Sequence, residues 1–194
     1  MHSVIPNFNQ SGVLPPFLPD DSPVNPNAVS PYKVPLIEFV KHFNTSKERK
    51  KILLGFLNYR AYLKKNGIKD GFQWIDGSFT EHIEDTQKRP PKDIDVVSFI
   101  HRPSDFSSYH EWRAFITLNP SLFSQPHIKK QYMCDAYLVD MDLDPKHIIA
   151  QTAYWHGLFS HQRDTYLWKG MLQISLADSE IDSLKSLRED ENAA

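Results

Sequence analysis

The sequence predicts an α+β fold in which a mixed β-sheet is flanked by helices. Apolar residues recur at helical spacing along residues 47–65, and Asp144-Pro145 suits the first turn of a later helix. Short apolar runs of the kind found in strands occupy residues 72–76, 93–100, 131–141 and 169–176. Helical and strand patterns are therefore both present along the chain.

Composition limits the class of protein. The chain has 194 residues, of which 40% are hydrophobic, enough for one domain with its own core. A net charge of −2 provides no overall basic field of the kind that drives non-specific nucleic-acid binding. The single cysteine, Cys134, excludes an intrachain disulfide. No apolar run reaches membrane-spanning length and the first residues lack a signal-peptide pattern, so we expect a cytoplasmic protein.

Proline usage divides the chain into parts. Eight of the fourteen prolines precede residue 36, so residues 1–33 are predicted to form a proline-rich extended arm. Its apolar residues favour an arm that lies on its own domain, with an arm that grips a partner subunit as the alternative. Residues 34–176 form the predicted domain, and residues 177–194 an acidic tail that frays or packs loosely.

The first helices are predicted from spacing and caps. Residues 34–43 have helical apolar spacing, and Thr45 or Ser46 can cap a second helix that ends near Lys65. The buried stripe of that second helix is Ile52, Leu53, Phe56, Leu57 and Leu63. Its basic residues, which include Arg49 and Arg60, are predicted to form a solvated face or a face that guides an acceptor.

The stretch from Trp74 to Phe99 carries the clearest chemistry. Asp93 and Asp95 are two apart in a predicted strand, so their side chains share one face while Ile94 and Val96 share the other. Two carboxylates this close repel each other unless a cation lies between them. Mg²⁺ accepts such oxygen ligands together with substrate phosphates.

A phosphate site is predicted beside this pair. Gly77 allows close approach of backbone to a ligand, and Ser78 with Glu81 has capping-box spacing for a helix that would present free N–H groups. Lys88, Arg89 and Lys92 in the following loop either meet phosphate oxygens or are simply solvated. Arg163 and Lys169 are further phosphate candidates, with a surface salt bridge as the alternative.

A third carboxylate is expected on the strand predicted at residues 131–141. Asp135 lies in an apolar run, where an ionised and unpaired carboxylate is costly. Asp140 competes with it, and because the two are five apart only one of them should reach the site. We favour Asp135, which lies nearer the start of its strand, as Asp93 and Asp95 do.

Together these residues resemble the signature of the nucleotidyltransferase superfamily, which has the DNA polymerase beta-like fold. The matching residues are Ile75, Gly77-Ser78 and Asp93-Ile94-Asp95-Val96, with a spacer on the long side. The chain also resembles an uncharacterised family of short, mostly bacterial nucleotidyltransferase-like proteins in further segments, which are Pro15-Pro16-Phe17, Ser30-Pro31-Tyr32, Gly71-Phe72-Gln73-Trp74, Asp76-Gly77-Ser78-Phe79, residues 91–97, Tyr154-Trp155 with Phe159 and Arg163, and Lys169-Gly170.

The resemblance implies a nucleotidyltransferase-like fold and an Mg²⁺-dependent enzyme, with Mn²⁺ as a substitute. Asp93, Asp95 and Asp135 would be the catalytic, metal-binding residues. The phosphate-binding candidates are Gly77, Ser78, Lys92, Arg163 and Lys169. A nucleoside triphosphate would donate its monophosphate to a hydroxyl of RNA, DNA, a nucleotide or a protein, and pyrophosphate would leave.

A different class of function is the alternative. The same fold can serve as a non-catalytic or partner-dependent binding module, for example in a toxin–antitoxin or defence pair, or within a homo-oligomer. Retention of both Asp93 and Asp95 argues against it, because an unused pair of like charges is a liability. The lack of a recognisable acceptor-binding domain argues for a partner.

Overall fold

The computed structural model describes residues 5–106 and 108–192. The first four residues of the predicted arm and the last two of the predicted tail lie outside them. Five strands and eight α-helices are found in the described ranges. The strands are β1 (Tyr32–Lys33), β2 (Gly71–Asp76), β3 (Ile94–Ile100), β4 (Cys134–Asp140) and β5 (Leu172–Ser175). The helices are α1 (Leu36–Phe43), α2 (Lys47–Lys65), α3 (Ile83–Thr86), α4 (Tyr109–Leu118), α5 (Pro120–Phe123), α6 (Gln125–Tyr132), α7 (Pro145–Phe159) and α8 (Glu180–Asn192).

The strands form one mixed sheet in the order β1-β5-β2-β3-β4. β2 runs antiparallel to both of its neighbours, whereas β3 and β4 are parallel and are joined through α4, α5 and α6. The predicted α+β class, a mixed sheet flanked by helices, is therefore confirmed.

The two faces of the sheet are covered unequally. Ile75, Ile94 and Val96 project into a large core that includes buried residues of α1, α2, α6 and α8. Residues that alternate with them project to the other face, where Trp74, Val97 and Phe99 meet Trp155 and Phe159 of α7. Trp155 and Phe159 are the buried residues of α7, whereas Ile149 in its first half is 69% exposed. The thinly covered face leaves room for a cleft.

The second helix follows its prediction closely. Ser46 caps α2 by accepting a hydrogen bond from the backbone N–H of Arg49, and the five residues of the predicted stripe are buried. Arg49 and Arg60, however, are buried, so the prediction of a solvated or acceptor-guiding face is wrong for these two. Each finds carboxylate and carbonyl partners inside the protein, which sequence spacing does not reveal.

Three other elements differ in part from their predictions. The helix expected to start at Ser78 is a short 3₁₀ turn over Ser78–Thr80 that begins after Gly77, without a side-chain cap. The strand expected at residues 131–141 starts only at Cys134, because residues 125–132 form α6. The described acidic tail forms α8, which packs on α1 and α2 and buries Leu187, rather than fraying.

Residues 5–31 have no helix and only isolated β-bridges, and they lie against the rest of the protein. Val13 and Leu14 are fully buried, and Tyr32 donates a hydrogen bond to the carbonyl of Pro15. The single cysteine, Cys134, is also fully buried. Among the described residues, the helices are all too short or too polar to cross a membrane.

Candidate functional site

Three aspartates form a row across neighbouring strands. Asp76 at the end of β2 is the register partner of Asp95 in β3, and Asp95 is the register partner of Asp135 in β4. Asp93 immediately precedes β3. Because β3 and β4 are parallel and β2 antiparallel, the start of two strands and the end of the third meet at this edge. The four carboxylates line one cleft of about 550 Å³ on the α7 side of the sheet.

Gly77 and Asp95 are in close contact. A Cβ added at Gly77 would lie 2.2 Å from Asp95 Oδ2, and Gly77 has φ +84°, where side chains are rarely tolerated. The glycine therefore allows the turn after β2 to pass directly over the Asp95 carboxylate. This contact joins the two halves of the sequence pattern, Gly77-Ser78 and Asp93-Asp95.

Lys129 of α6 lies between two of the carboxylates. Its Nζ is 2.7 Å from Asp93 Oδ2 and 2.9 Å from Asp135 Oδ2. The hydrogen bonds that Lys129 donates to Asp93 and Asp135 raise the pKa of Lys129 above its usual range. Burial alone would raise the pKa of Asp135, but hydrogen bonds from Lys129 and Gln125 outweigh it, so that pKa is lowered. The two aspartates thus share one cation.

Asp95 lacks such a partner. Among the described residues its carboxylate makes no ion pair or hydrogen bond, although it stands between Asp76 and Asp135 in register. Burial, with added repulsion from Asp93 and Asp135, raises the pKa of Asp95 to about 6. An added cation would therefore be attracted more strongly to this unpaired carboxylate than to an aspartate that already has a lysine partner.

A second lysine is enclosed by carboxylates on the other side of Gly77. Lys169 Nζ lies 3.1 Å from Asp76 Oδ1 and 2.7 Å from Glu81 Oε1, and it donates a hydrogen bond to the Gly77 carbonyl. Burial raises the pKa of Asp76 to about 7. The Lys169 side chain is only 3% exposed, so this ion pair is buried and the alternative of a surface salt bridge is wrong. Lys169 also lines the cleft, and its phosphate role stays a prediction.

The structure brings most of the predicted site together. Ser78 and Arg163 line the cleft with the aspartates, and the Ser78 hydroxyl has no hydrogen-bond partner among the described residues. Lys92 is exposed and is not among the residues that line the cleft. Asp140 lies at the far end of β4, where its carboxylate is 2.8 Å from Arg102 Nε. Position therefore favours Asp135 over Asp140.

Aromatic side chains also line the cleft. Tyr137 and Tyr154 each pack against Trp155, with ring centroids 4.8 and 5.0 Å apart. The loop after α7 adds Tyr166, which is 82% exposed and has φ +56°, and it brings Arg163 to the lining of the cleft. A left-handed backbone at a tyrosine is strained, and such strain tends to occur at functional positions. Flat rings beside a charged pocket provide a surface for a ring-bearing ligand.

The carboxylate oxygens have the donor chemistry that a hard divalent cation needs, but their side chains are not arranged as a complete set of ligands. Within the described ranges, no group of three acidic, histidine or cysteine side chains stands close enough to hold a metal ion. The oxygen ligands themselves are those that Mg²⁺ prefers, and Lys129 demonstrates that Asp93 and Asp135 can share one cation. Asp93, Asp95 and Asp135 are therefore the residues that would hold it.

Comparison with known proteins gives one match. The model of a family of unknown function, DUF6932, matches residues 6–175. The chain belongs to the DUF6932 family. The match takes in every site residue described above, so the cleft lies within the part that defines DUF6932 membership. No curated protein and no solved structure matches the chain significantly.

Two residues of this DUF6932 site were missed by sequence reasoning. Lys129 has no predicted role, because α6 is not predicted from the sequence. Glu81 was expected to close a capping box, but its carboxylate accepts hydrogen bonds from Lys169 and Gln162. The available signal for α6 was Pro126, shortly after Ser124, since proline suits the first turn of a helix.

Proposed function

We propose that this protein is a metal-dependent nucleotidyltransferase that moves a nucleoside monophosphate from a triphosphate to a hydroxyl acceptor. The observation that carries the proposal is the contact between Gly77 and Asp95, with Asp93 and Asp135 lining the same cleft. It places a glycine-opened backbone turn, suited to phosphate, against a carboxylate that lacks a cation. The nucleotidyltransferase-like sequence pattern requires these two features to lie close together.

Each residue has a defined part in this reaction. Asp93, Asp95 and Asp135 would hold Mg²⁺, which when bound neutralises phosphate charge and makes the acceptor hydroxyl more acidic. The unpartnered Ser78 hydroxyl can donate to a phosphate oxygen at the cleft surface. Arg163, which also lines the cleft, can pair with the outer phosphates. Tyr137 and Tyr154 offer a stacking surface for the base.

In the transfer step the acceptor oxygen bonds to the α-phosphorus while the bond to the leaving pyrophosphate breaks. The acceptor proton passes to a carboxylate oxygen, for which Asp135 at the cleft surface is our candidate. Lys169 and Asp76 hold the turn at Gly77 in place through a buried ion pair and a hydrogen bond to its carbonyl. They act on the geometry and not on the substrate.

Labelled triphosphates test the proposal directly. Purified protein is incubated with each α-³²P nucleoside triphosphate and Mg²⁺ or Mn²⁺, alone and with total cellular RNA. Label in RNA, an oligonucleotide or the protein itself establishes transfer and names the acceptor class. The double variant Asp93→Asn/Asp95→Asn is the matched control and should transfer nothing. Absence of transfer by the unaltered protein under all conditions contradicts the proposal.

The second candidate function is a non-catalytic or partner-dependent binding module. It is favoured by the internal cations, since Lys129 already pairs with Asp93 and Asp135, and Lys169 with Asp76 and Glu81. A module of this kind predicts no metal-dependent stabilisation by triphosphate. Thermal unfolding with and without Mg²⁺ and ATP separates the two candidate functions. If the protein is a metal-dependent enzyme, Mg²⁺ with ATP should stabilise it only when Asp93 and Asp95 are intact.

A further inference from the structure

Lys129 stands where the proposed function needs a divalent cation. Its ammonium bridges Asp93 and Asp135 at 2.7 and 2.9 Å, directly beside the unpaired Asp95. A metal ion held by Asp93 and Asp135 would occupy the same space. The two cations therefore exclude each other.

The helix that carries Lys129 is anchored in the core, while the lysine side chain is partly exposed to solvent. α6 is anchored by buried Ile128 and Tyr132 and packs against α2 and β4. The Lys129 side chain is 44% exposed, so its ammonium can turn into solvent or toward a ligand without uncovering the core. Lys169 differs, because it is almost wholly buried between Asp76 and Glu81. Of these two lysines, Lys129 is the one that can exchange.

We propose that Lys129 is an exchangeable internal counterion of the carboxylate cluster. In the free protein it holds Asp93 and Asp135 and keeps divalent cations out. When a triphosphate arrives, the ammonium moves from the carboxylates to the phosphate oxygens and the metal takes its place. This inference rests on the proposed function. It makes nucleotide binding and metal binding mutually supporting, because each removes the cost of displacing Lys129.

The test measures two affinities in Lys129→Met, a substitution that keeps an unbranched side chain on the helix. Mn²⁺ alone is titrated and followed by electron paramagnetic resonance. A fluorescent ATP analogue is titrated separately in EDTA. Lys130→Met is the matched control, one residue along α6 and exposed. Asp95→Asn serves as the metal-site blank.

Opposite changes are expected in the two titrations. Lys129→Met should bind Mn²⁺ roughly tenfold more tightly, the size expected on removing one charge-assisted counterion. It should bind the metal-free nucleotide several-fold more weakly, because a phosphate partner is lost. Lys130→Met should change neither. A purely structural lysine would not tighten one ligand while weakening the other.

Three results would overturn the inference, and they differ in what they leave standing. Weaker Mn²⁺ binding by Lys129→Met means that Lys129 supports the site rather than competing for it. Unchanged Mn²⁺ binding that is still lost in Asp95→Asn leaves the metal site in place without the exchange. No specific Mn²⁺ binding by any variant removes the metal-dependent function as well.

Discussion

At the scale of single residues, the tightest requirement in the cleft is the lack of a side chain at position 77. Gly77→Ala would place a Cβ against Asp95 and force alanine into a positive φ. We expect it to abolish Mn²⁺ binding and to lower the free energy of unfolding by roughly 1–3 kcal/mol. Electron paramagnetic resonance and urea unfolding measure the two effects.

A matched glycine makes that result interpretable. At Gly157 in α7 an added Cβ meets no atom within 4 Å. Gly157→Ala should raise the free energy of unfolding by up to about 1 kcal/mol, because alanine favours a helix over glycine. Equal responses of the two variants would show that the contact between Gly77 and Asp95 imposes no special constraint.

The raised pKa of Asp95, about 6, predicts a pH-dependent stability. The native state holds this proton more tightly than the unfolded chain, so ionisation costs stability as pH rises from about 4 to about 6. In EDTA, Asp95→Asn should therefore be more stable than the original chain at pH 7 by about 2 kcal/mol, with the difference shrinking toward pH 4. Urea unfolding at pH 4, 5 and 7 checks this, and a gain that does not vary with pH contradicts it.

At the scale of elements, the sequence predicts best where a local signal and a buried stripe agree. α2 has Ser46 at its start, Asn66-Gly67 after its end and apolar residues at helical spacing between them, and its observed bounds match. The shared face of Asp93 and Asp95 was likewise predictable, because side chains alternate along a strand. Asp135 was favoured because it lies near the start of its strand, and the parallel register of β3 and β4 places it beside Asp95.

The element that sequence reasoning missed is the one that carries Lys129. α6 passes almost directly into β4, since Met133 takes a left-handed conformation, with φ +55°, between them. No glycine or proline marks that boundary, so Tyr132 and Met133 merge with the apolar run of the strand. The position of Lys129 between Asp93 and Asp135 depends on this turn and on strand pairing, neither of which is a local property of the sequence.

A buried arginine in α2 ties three elements together. Arg60 donates hydrogen bonds to Glu180 of α8, Gln73 of β2 and the Ser175 carbonyl of β5. Arg60→Met removes a buried ion pair with Glu180, which keeps Lys64 as an ion-pair partner. It also leaves the oxygens of Gln73 and Ser175 without this donor. We therefore expect a loss of roughly 3–5 kcal/mol in the free energy of unfolding. Urea unfolding measures it, and Lys51→Met, on the exposed side of the same helix, should change it by less than about 0.5 kcal/mol. A small loss in Arg60→Met would mean that α8 contributes little to the fold.

At the scale of the whole molecule, the unequal covering of the sheet decides where a ligand can enter. One face carries the main core, which includes buried residues of α1, α2, α4, α5, α6 and α8, while the other is covered by α7 near its C-terminal end. The aspartates lie on this second face, at the strand ends that α7 leaves open. Chain order could not predict this, because which face a helix covers depends on the handedness and length of its connections.

The N-terminal segment belongs to the core of its own chain. Leu14 is fully buried within the main core, so Leu14→Ala should lower the free energy of unfolding by about 2–4 kcal/mol. Val24→Ala, at an exposed position of the same segment, should have an effect below about 0.5 kcal/mol. The loss should be the same at low and high protein concentration. A loss that grows on dilution would instead indicate a segment that grips a partner subunit.

The burial of Cys134 makes the native protein a convenient host for site-specific labels. Burial raises the pKa of its thiol well above the usual range, which suppresses the thiolate that maleimides attack. An introduced thiol such as Asp164→Cys, at the exposed rim of the cleft, would then be the single reactive point on the folded chain. A fluorophore attached there would report ligand binding at the cleft in real time, without background signal from labelled Cys134.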